Sequence, residues 1–252
     1  MLKRLATALR DLLLPAHCAA CGTPAPPDVR LPLCETCGPA LAATLAVPFC
    51  PACARHVDSP ATDPALCPFC RNFPVKFDAA VRLGPFQGPL RQLILRCKYE
   101  QRMEIAPLLG RLLGERLALA PWAAEIDLVV PVPLHWSRRM RRGYNQAALV
   151  AEDMAAAAFA DDPPPVRRAL RRTRPTPHQA SLPAKQRRQS VRGAFATRWG
   201  SGIKGKRILL VDDVMTSGST IGECTHVLLK AGAAAVFAAV LATADYDEAG
   251  VW

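Results

Sequence analysis

One apolar stretch is followed directly by two acidic residues, and this arrangement restricts the folds open to the chain. Ile208–Val211 are four consecutive apolar residues, which is typical of a strand buried on both faces of a sheet. Asp212 and Asp213 come next, and after two more apolar residues the chain enters the small or hydroxylated run Thr216–Thr220. Such strands occur in parallel sheets covered by helices. The sequence therefore predicts an α/β protein with polar groups at the carboxyl end of a central strand.

Strand and helix patterns alternate through the chain after Lys76. Helical spacing of apolar residues runs through 90–99, 105–119, 145–159 and 219–231. Strand patterns run through 77–86, 126–133, 166–170, 193–199, 208–212 and 233–242. This alternation predicts a mostly parallel, doubly wound sheet. We expect residues 77–252 to form this domain and residues 1–76 to form a small module of their own.

Eight of the ten cysteines lie in four C-x-x-C pairs near the N-terminus. The paired residues are Cys18, Cys21, Cys34, Cys37, Cys50, Cys53, Cys67 and Cys70. Gaps of 12, 12 and 13 residues separate successive pairs, which is the spacing of four-sulfur metal sites. The pattern predicts two structural zinc ions, with an iron–sulfur cluster as an alternative. Structural disulfides are disfavoured, because a C-x-x-C bridge closes a very small loop and a reduced cytosol keeps thiols free.

The cysteine spacing leaves the pairing open. Consecutive pairs that share a metal would give two successive zinc ribbons, whereas alternate pairs would give a cross-braced finger. We favour successive ribbons. Because zinc ribbons bind nucleic acid, bind protein or only stabilise a terminus, they do not identify a function by themselves. Cys97 and Cys224 lie in apolar helical patterns and are expected in the core.

Positive charge is concentrated in one segment. The formal net charge is +11, and residues 135–192 hold 13 Lys or Arg against 4 Asp or Glu. This segment predicts a polyanionic partner such as a phosphorylated small molecule, pyrophosphate or nucleic acid, although a solvated face is the alternative. No apolar run approaches about 18 residues, so no membrane span is expected. Arg10 and Asp11 interrupt the N-terminal apolar stretch, which favours an amphipathic helix over a signal peptide. We therefore expect a cytoplasmic location.

The run Thr216–Thr220 is predicted to hold a phosphate. It enters a helix whose N-terminus offers free N–H groups and a positive dipole end, and Gly218 allows close approach of the backbone. Asp212 and Asp213 suit hydroxyl donors or a divalent ion, so a ribose 5-phosphate satisfies both halves. A Walker loop would need a lysine after Gly218, and the dinucleotide pattern is absent. A helix cap with chance acidic residues is the structural alternative.

The stretch ILLVDDVMTSGSTI resembles the phosphoribosyl-pyrophosphate motif of type I phosphoribosyltransferases. Two longer stretches, VVPVPLHWSRRMRRGYNQAALVAE and RRTRPTPHQASLPAKQRRQSVRGAF, together with the cysteine pairs, resemble the ComF family, which is linked to competence and DNA uptake. The resemblance implies a type I phosphoribosyltransferase-like domain that follows a double zinc ribbon. It also implies phosphoribosyl pyrophosphate and Mg²⁺ as ligands.

The resemblance assigns roles to individual residues. Asp212 and Asp213 would contact the ribose hydroxyls. The 5-phosphate would lie on Thr216, Ser217, Gly218, Ser219 and Thr220. The pyrophosphate loop and a Lys-Tyr pair of the family would contribute Arg142, Gly143, Tyr144, Asn145 and Lys98. A catalytic loop is implied at residues 172–188, and its catalytic cations would be Arg174, Lys185, Arg187 and Arg188.

Two classes of function are open from the sequence. In the first, the protein is an enzyme that transfers phosphoribose to an unknown acceptor, and its basic loop neutralises pyrophosphate and excludes water. In the second, the fold is a non-catalytic module that senses the sugar phosphate or holds single-stranded DNA for DNA-uptake proteins. Trp136 and Tyr144 are then the stacking platforms. The sequence shows no evident general base, but it retains the groups expected to bind the sugar phosphate.

Overall fold

A computed structural model describes residues 17–25, 32–58, 67–136, 140, 143–159, 161–176 and 189–244. The expected N-terminal helix lies outside these ranges, as does the stretch from residue 177 to 188. Six strands are described, and they are β1 (Ala80–Pro85), β2 (Leu128–Pro131), β3 (Leu170–Arg172), β4 (Phe195–Thr197), β5 (Arg207–Met215) and β6 (Ala235–Thr243).

The strands form one parallel sheet and one small hairpin. The sheet has the order β1-β6-β5-β2, and all its neighbours are parallel. Strands β3 and β4 pair antiparallel in a second, two-stranded sheet. Between β2 and β3, Val166 makes an isolated parallel bridge to Val129. The predicted strand at 166–170 is therefore reduced to this bridge, and a short strand follows it.

Six α-helices are described in the same residues. They are α1 (Cys37–Leu45), α2 (Pro68–Asn72), α3 (Gly88–Tyr99), α4 (Ala106–Ala118), α5 (Gln146–Ala158) and α6 (Ser219–Lys230). Helices α3 to α6 lie where the apolar spacing predicts them. None of the described helices has the length and apolar character needed to cross a bilayer.

Helices cover both faces of the parallel sheet. Along β5, Leu209 and Val211 pack into an apolar cluster with α3, α4 and α5. Ile208 and Leu210 belong to a second cluster, which includes the buried face of α6. Successive residues of a strand point to opposite faces, so one apolar run supplies both cores. The prediction of a doubly wound α/β sheet is confirmed.

Strand β5 is longer than the sequence predicts. The apolar pattern ends at Asp212, but the strand continues to Met215. Its partner β6 pairs Val240 with Asp212 and Thr243 with Met215. Carboxylates are disfavoured inside strands, yet a long neighbouring strand supplies the ladder bonds that override this local preference. Both aspartates therefore lie within the strand, and their positions are fixed by the sheet.

The paired cysteines form a first group, within residues 18–37, and a second group, within residues 50–70, and the two groups pack against different parts of this core. Cys18, Cys37 and Leu41 belong to the apolar cluster that contains α3 and one face of the sheet. The second group lies near β1 and the end of β6, where Pro51 O accepts the backbone N–H of Ala80 at 2.9 Å. The cysteine-rich segment is thus docked on the sheet at two places. A domain boundary at residue 76 stays a prediction.

Candidate functional site

Two adjacent carboxylates lie at the carboxyl end of β5. Both are half-buried. Asp212 Oδ1 accepts the backbone N–H of Asp213 at 2.9 Å, and Asp213 Oδ1 accepts the backbone N–H of Val214 at 2.7 Å. One oxygen of each carboxylate is therefore held by a backbone bond. In an open parallel sheet, this end of the strands is where ligands bind.

Helix α3 delivers a lysine to this pair. Lys98 Nζ lies 2.8 Å from Asp213 Oδ2, and the two side chains are only 18% and 14% exposed. The ion pair neutralises one of the two carboxylates where solvent screening is weak. The structure thus brings Lys98, which the family resemblance places among the ligand-binding residues, to Asp213, although the two are far apart in the chain.

The second carboxylate titrates near neutral pH. Burial raises the pKa of Asp212 to about 7, and the negative charge of Asp213 acts in the same direction. The positive charges of Lys98 and Arg172 oppose this rise. Near pH 7 Asp212 is therefore present both as a carboxylic acid and as a carboxylate. As an acid it can donate a hydrogen bond to a hydroxyl, and as a carboxylate it can accept one.

The hydroxylated run after β5 turns into the N-terminus of α6. Gly218 has φ 72° and ψ 3°, a left-handed conformation that glycine adopts without steric cost, and it precedes the first helical residue. The hydroxyls of Ser217 and Ser219 are 2.6 Å apart. All five residues of Thr216–Thr220 are half-exposed. A helix N-terminus with accessible hydroxyls can bind a phosphate, and the carboxylates lie immediately upstream.

The loop after β2 is tied back to its own start and to α3. Asn145 Nδ2 donates to the carbonyl of Val132 at 3.1 Å, which closes the loop. The hydroxyl of Tyr144 donates to the carbonyl of Cys97, and Gln146 Nε2 donates to that of Lys98 at 3.5 Å. These bonds place Tyr144 and Gln146 against the last turn of α3, which carries Lys98. Gly143 turns the chain here with φ 81°. Arg142 lies outside the described residues, so the structure does not place it.

The connection between β3 and β4, residues 173–194, contains the C-terminal part of the basic segment, and its two ends lie on these paired strands. Arg174 is exposed, and its Nη2 donates to the carbonyl of Arg192 at 2.8 Å, joining the two ends of the connection. Arg172 donates to Thr176 and lies 5.1 Å from the ring centroid of Phe195. Three of the four proposed catalytic cations, Lys185, Arg187 and Arg188, lie outside the described residues. Arg174 alone among them is placed by the structure.

One residue that bonds to the site has no signal in the sequence. Arg55, in the second cysteine group, is 7% exposed. Its guanidinium donates to the carbonyl of Thr216, at the start of the hydroxylated run, and to that of Ala244 at 3.5 Å. The bond to Thr216 joins residues 161 positions apart. No local pattern marks such a residue, because its partner is set only by the fold.

The eight paired cysteines form two groups from successive pairs. The first contains Cys18, Cys21, Cys34 and Cys37, and the second contains Cys50, Cys53, Cys67 and Cys70. Within each group the four sulfurs lie within 4.8 Å of one another. The described cysteines are all free thiols. The arrangement agrees with two successive ribbons and not with a cross-braced finger.

The sulfur separations suit a tetrahedral zinc ion. Sulfurs about 2.3 Å from a tetrahedral metal are about 3.8 Å from each other. The Sγ atoms of Cys21 and Cys34 are 3.7 Å apart, and those of Cys53 and Cys67 are 3.8 Å apart. The backbone N–H of Cys37 donates to Cys34 Sγ and lowers the pKa of that thiol to about 6, which favours the thiolate that binds metal. Each group therefore fits one structural zinc ion.

Comparison with known proteins places the fold and its relatives. The family model of the phosphoribosyl transferase domain matches residues 166–249, which include β5 and the hydroxylated run. DNA utilization protein YhgH of Salmonella typhimurium is 35% identical over 185 residues, covering 70% of this chain and 78% of that protein. Competence protein F of Haemophilus influenzae is 34% identical over 170 residues, covering 66% of this chain and 73% of that protein.

The chain also has a more distant likeness to a solved structure. That structure is the glutamine phosphoribosylpyrophosphate amidotransferase from B. subtilis complexed with ADP and GMP. It is 23% identical with a TM-score of 0.39, over 58% of this chain and 30% of that one. The assignment rests instead on the matched domain and on relatives that are similar over most of their length. On that basis the chain belongs to the ComF family, and it contains a type I phosphoribosyltransferase domain.

Proposed function

We propose that this protein binds phosphoribosyl pyrophosphate with Mg²⁺ and transfers phosphoribose to an acceptor, in a role linked to DNA uptake. The observation that carries the proposal is the geometry at the end of β5. Within residues 212–220 the chain supplies two carboxylates and then a glycine turn that opens a helix. A ribose with neighbouring hydroxyls and a terminal phosphate has the matching groups.

The charges at the site favour this ligand. Carboxylates repel phosphate, so two ionised aspartates beside a phosphate site would weaken it. Here Lys98 pairs with Asp213, and the pKa of Asp212 is raised to about 7. The carboxyl pair therefore carries less than its full negative charge at neutral pH. It keeps acceptor oxygens for the ribose hydroxyls, while Thr216–Thr220 hold the 5-phosphate.

The leaving pyrophosphate needs cations. In the proposal it lies on the loop that contains Arg142, Gly143, Tyr144 and Asn145, beside Lys98. Oxygen ligands suit Mg²⁺, so the ion would be held by the pyrophosphate with support from Asp212 and Asp213. When bound, Mg²⁺ would neutralise charge on the leaving group.

The transfer itself breaks one bond and makes another. The bond between ribose C1 and the pyrophosphate oxygen breaks, and its electron pair leaves with pyrophosphate. The acceptor then bonds to C1 and loses a proton. Arg174, Lys185, Arg187 and Arg188 are proposed to stabilise the negative charge that develops on the leaving group and to exclude water. The Arg174–Arg192 bond holds the two ends of the connection between β3 and β4 together.

A second candidate function is the binding of single-stranded DNA without catalysis. The specific observation is Trp136, which is 70% exposed and directly precedes the arginine-rich part of the loop after β2. Exposed aromatic rings beside basic residues are platforms on which bases stack. The printed names of the relatives, which refer to DNA utilization and competence, agree with either candidate.

The proposed location is the cytoplasm.

Calorimetry with phosphoribosyl pyrophosphate and Mg²⁺ tests the first candidate, followed by a screen for pyrophosphate release over bases and amines. We expect saturable binding of one ligand per chain and release that depends on one acceptor class. Binding without release for any acceptor would leave a sensor. No binding at millimolar ligand would reject the proposal.

A further inference from the structure

We infer that Arg55 is a positioning residue that couples the second four-cysteine group to the phosphate-binding run. The group consists of Cys50, Cys53, Cys67 and Cys70. The inference rests on the proposed function for the identity of the ligand. It adds that the second group, and not the first, sets the geometry of Thr216–Thr220.

Two contacts and the backbone conformation of the preceding residue hold Arg55 beside the second group. Its carbonyl accepts the backbone N–H of Cys50 at 2.8 Å. Its guanidinium carbon lies 3.8 Å from the ring centroid of Phe69, a residue between the last two cysteines of the group. The residue before it, Ala54, has φ 57°, a conformation that costs energy for a side chain other than glycine. The folded cysteine group thus holds Arg55 in one place.

The other end of the side chain is bonded to the phosphate-binding run. The guanidinium donates to the carbonyl of Thr216 and to that of Ala244, which follows β6. A buried guanidinium is costly unless its N–H groups have partners, so these carbonyls and the ring of Phe69 hold it strongly. Thr243, next to Ala244, donates its hydroxyl to the carbonyl of Ala54 at 3.3 Å. The group is therefore fastened to the sheet beside the run.

Fixing the carbonyl of Thr216 also fixes the N–H of Ser217. Both belong to one planar trans peptide unit, in which the C=O and the N–H point in opposite directions. With the carbonyl held toward Arg55, the N–H of Ser217 faces the opposite side of the turn. That N–H is the second of the run, after that of Thr216. Arg55 thereby orients a phosphate donor without contacting the phosphate.

The packing around the run makes this support necessary. A cavity of about 170 Å³ lies between the second group and the run, lined by Phe69 and Phe73 on one side and by Ser217 and Gly218 on the other. Loose packing leaves a turn free to rearrange. Metal in the second group would hold Phe69, and through it Arg55. Loss of that metal should therefore loosen the run.

A matched arginine on α4 provides the control. Arg116 donates to the carbonyl of Leu45 at 2.5 Å, and its guanidinium carbon lies 5.8 Å from the ring centroid of Phe49. It thus resembles Arg55 in its partners, but it joins α4 to the end of α1, away from the run. Arg116→Gln should cost stability without changing ligand binding.

The test measures the affinity of the full-length, zinc-loaded protein for ribose 5-phosphate by calorimetry. Loss of one oriented donor to a charged phosphate is expected to weaken binding about tenfold in Arg55→Gln. Arg55→Lys should recover part of the loss, because it restores one donor. Arg116→Gln should bind as the wild type does. Cys70→Ser should weaken binding more than Cys21→Ser in the first group does.

Hydrogen exchange of the amides of Gly222 and Ala244, which donate to the carbonyls of Gly218 and Met215 in and beside the run, separates this inference from the proposed function when it is measured without ligand. We expect faster exchange in Arg55→Gln and unchanged exchange in Arg116→Gln. If wild type fails to bind ribose 5-phosphate but Arg55→Gln still speeds exchange, only the proposed ligand is wrong. Unchanged exchange in Arg55→Gln, or equal weakening by both arginine variants, would overturn the coupling.

Discussion

Lys98 Nζ lies 2.8 Å from Asp213 Oδ2, and both side chains are more than four-fifths buried. The pair joins the last turn of α3 to the carboxyl end of β5. It also affects the charge of the site, because it pairs Asp213 directly with a cation, whereas burial and the charge of Asp213 raise the pKa of Asp212. The site thus consists of an acidic pair that one lysine half-neutralises, next to the helix N-terminus proposed to bind phosphate.

Replacing this lysine should destabilise the protein and disturb the ligand site. Lys98→Met leaves Asp213 buried without its cation, so we expect the free energy of unfolding to fall by about 2 kcal/mol in urea denaturation. Lys206→Met is the control, because Lys206 Nζ lies 3.6 Å from Asp127 Oδ1 and both side chains are exposed. That variant should change stability by about 0.5 kcal/mol or less. Equal effects of the two variants would show that the buried pair has no special role.

The raised pKa of Asp212 predicts a pH dependence of stability. In the unfolded chain this carboxyl ionises near 3.8, whereas in the folded protein its pKa is about 7. Between these values the folded state holds a proton that the unfolded state has lost, so stability falls as the pH rises from about 4 to 7. Asp212→Asn should remove this slope and be more stable than wild type at pH 8 by about 1–2 kcal/mol.

Asp127 provides a contrast of opposite sign in the same experiment. The backbone N–H of Arg207 donates to its carboxylate and lowers the pKa of Asp127. Its contribution to stability is therefore present at neutral pH and is lost as the pH falls through its folded pKa. Asp127→Asn should therefore be less stable than wild type at neutral pH, and this difference in stability should shrink as the pH falls. If the free energy of unfolding has the same pH slope in wild type and in Asp212→Asn, the raised pKa of Asp212 is contradicted.

The sequence predicts the helices and the sheet better than it predicts the end of β5. Apolar spacing identifies α3 to α6 because their buried faces repeat with the helical period. The pattern stops β5 at Asp212, whereas pairing with β6 carries the strand to Met215. Local preference for strand formation does not include the ladder bonds that a long neighbour supplies.

The site is predicted in part from the sequence for a similar reason. One stretch, residues 212–220, contains both aspartates and the hydroxylated run, so the sequence alone indicates their chemistry. Lys98 enters only through the family resemblance, and its partner is set by the docking of α3. Arg55 has no signal in the sequence, since its bond to Thr216 spans 161 positions. Contacts between distant segments depend on the assembled fold.

Metal analysis should find two zinc ions per chain. Cys18→Ser should remove the ion of the first group, and Cys67→Ser that of the second, because each group needs four thiolates for a closed tetrahedral site. Cys224→Ala is the control, since this cysteine is buried in α6 outside both groups. It should keep both ions. One ion in the wild type, or iron in place of zinc, would contradict the double zinc ribbon.

Exposed tryptophans separate the two candidate functions. If single-stranded DNA binds beside the loop after β2, Trp136→Ala should weaken the binding of an oligothymidine about tenfold through loss of one stacking contact. Trp199→Ala, a change of a fully exposed residue next to β4, should have little effect. Fluorescence anisotropy of a labelled oligonucleotide measures both.

Competition then shows whether the ligands share the basic segment. In our account phosphoribosyl pyrophosphate displaces the oligonucleotide, because both polyanions need the same arginines. Independent binding of the two would place the DNA elsewhere, on the cysteine groups. Failure of the protein to bind single-stranded DNA at all would remove the second candidate function.

The most direct test of the central claim is calorimetry of Asp212→Asn/Asp213→Asn with phosphoribosyl pyrophosphate and Mg²⁺. Asp127→Asn is the control, because Asp127 lies at the opposite, amino end of β2 and β5, where its carboxylate accepts the N–H of Arg207 at 2.8 Å. If the carboxylates at the end of β5 bind the ribose hydroxyls, the double variant should stay folded by circular dichroism and lose saturable binding, while Asp127→Asn binds as wild type does. A folded double variant with unchanged affinity would contradict the account.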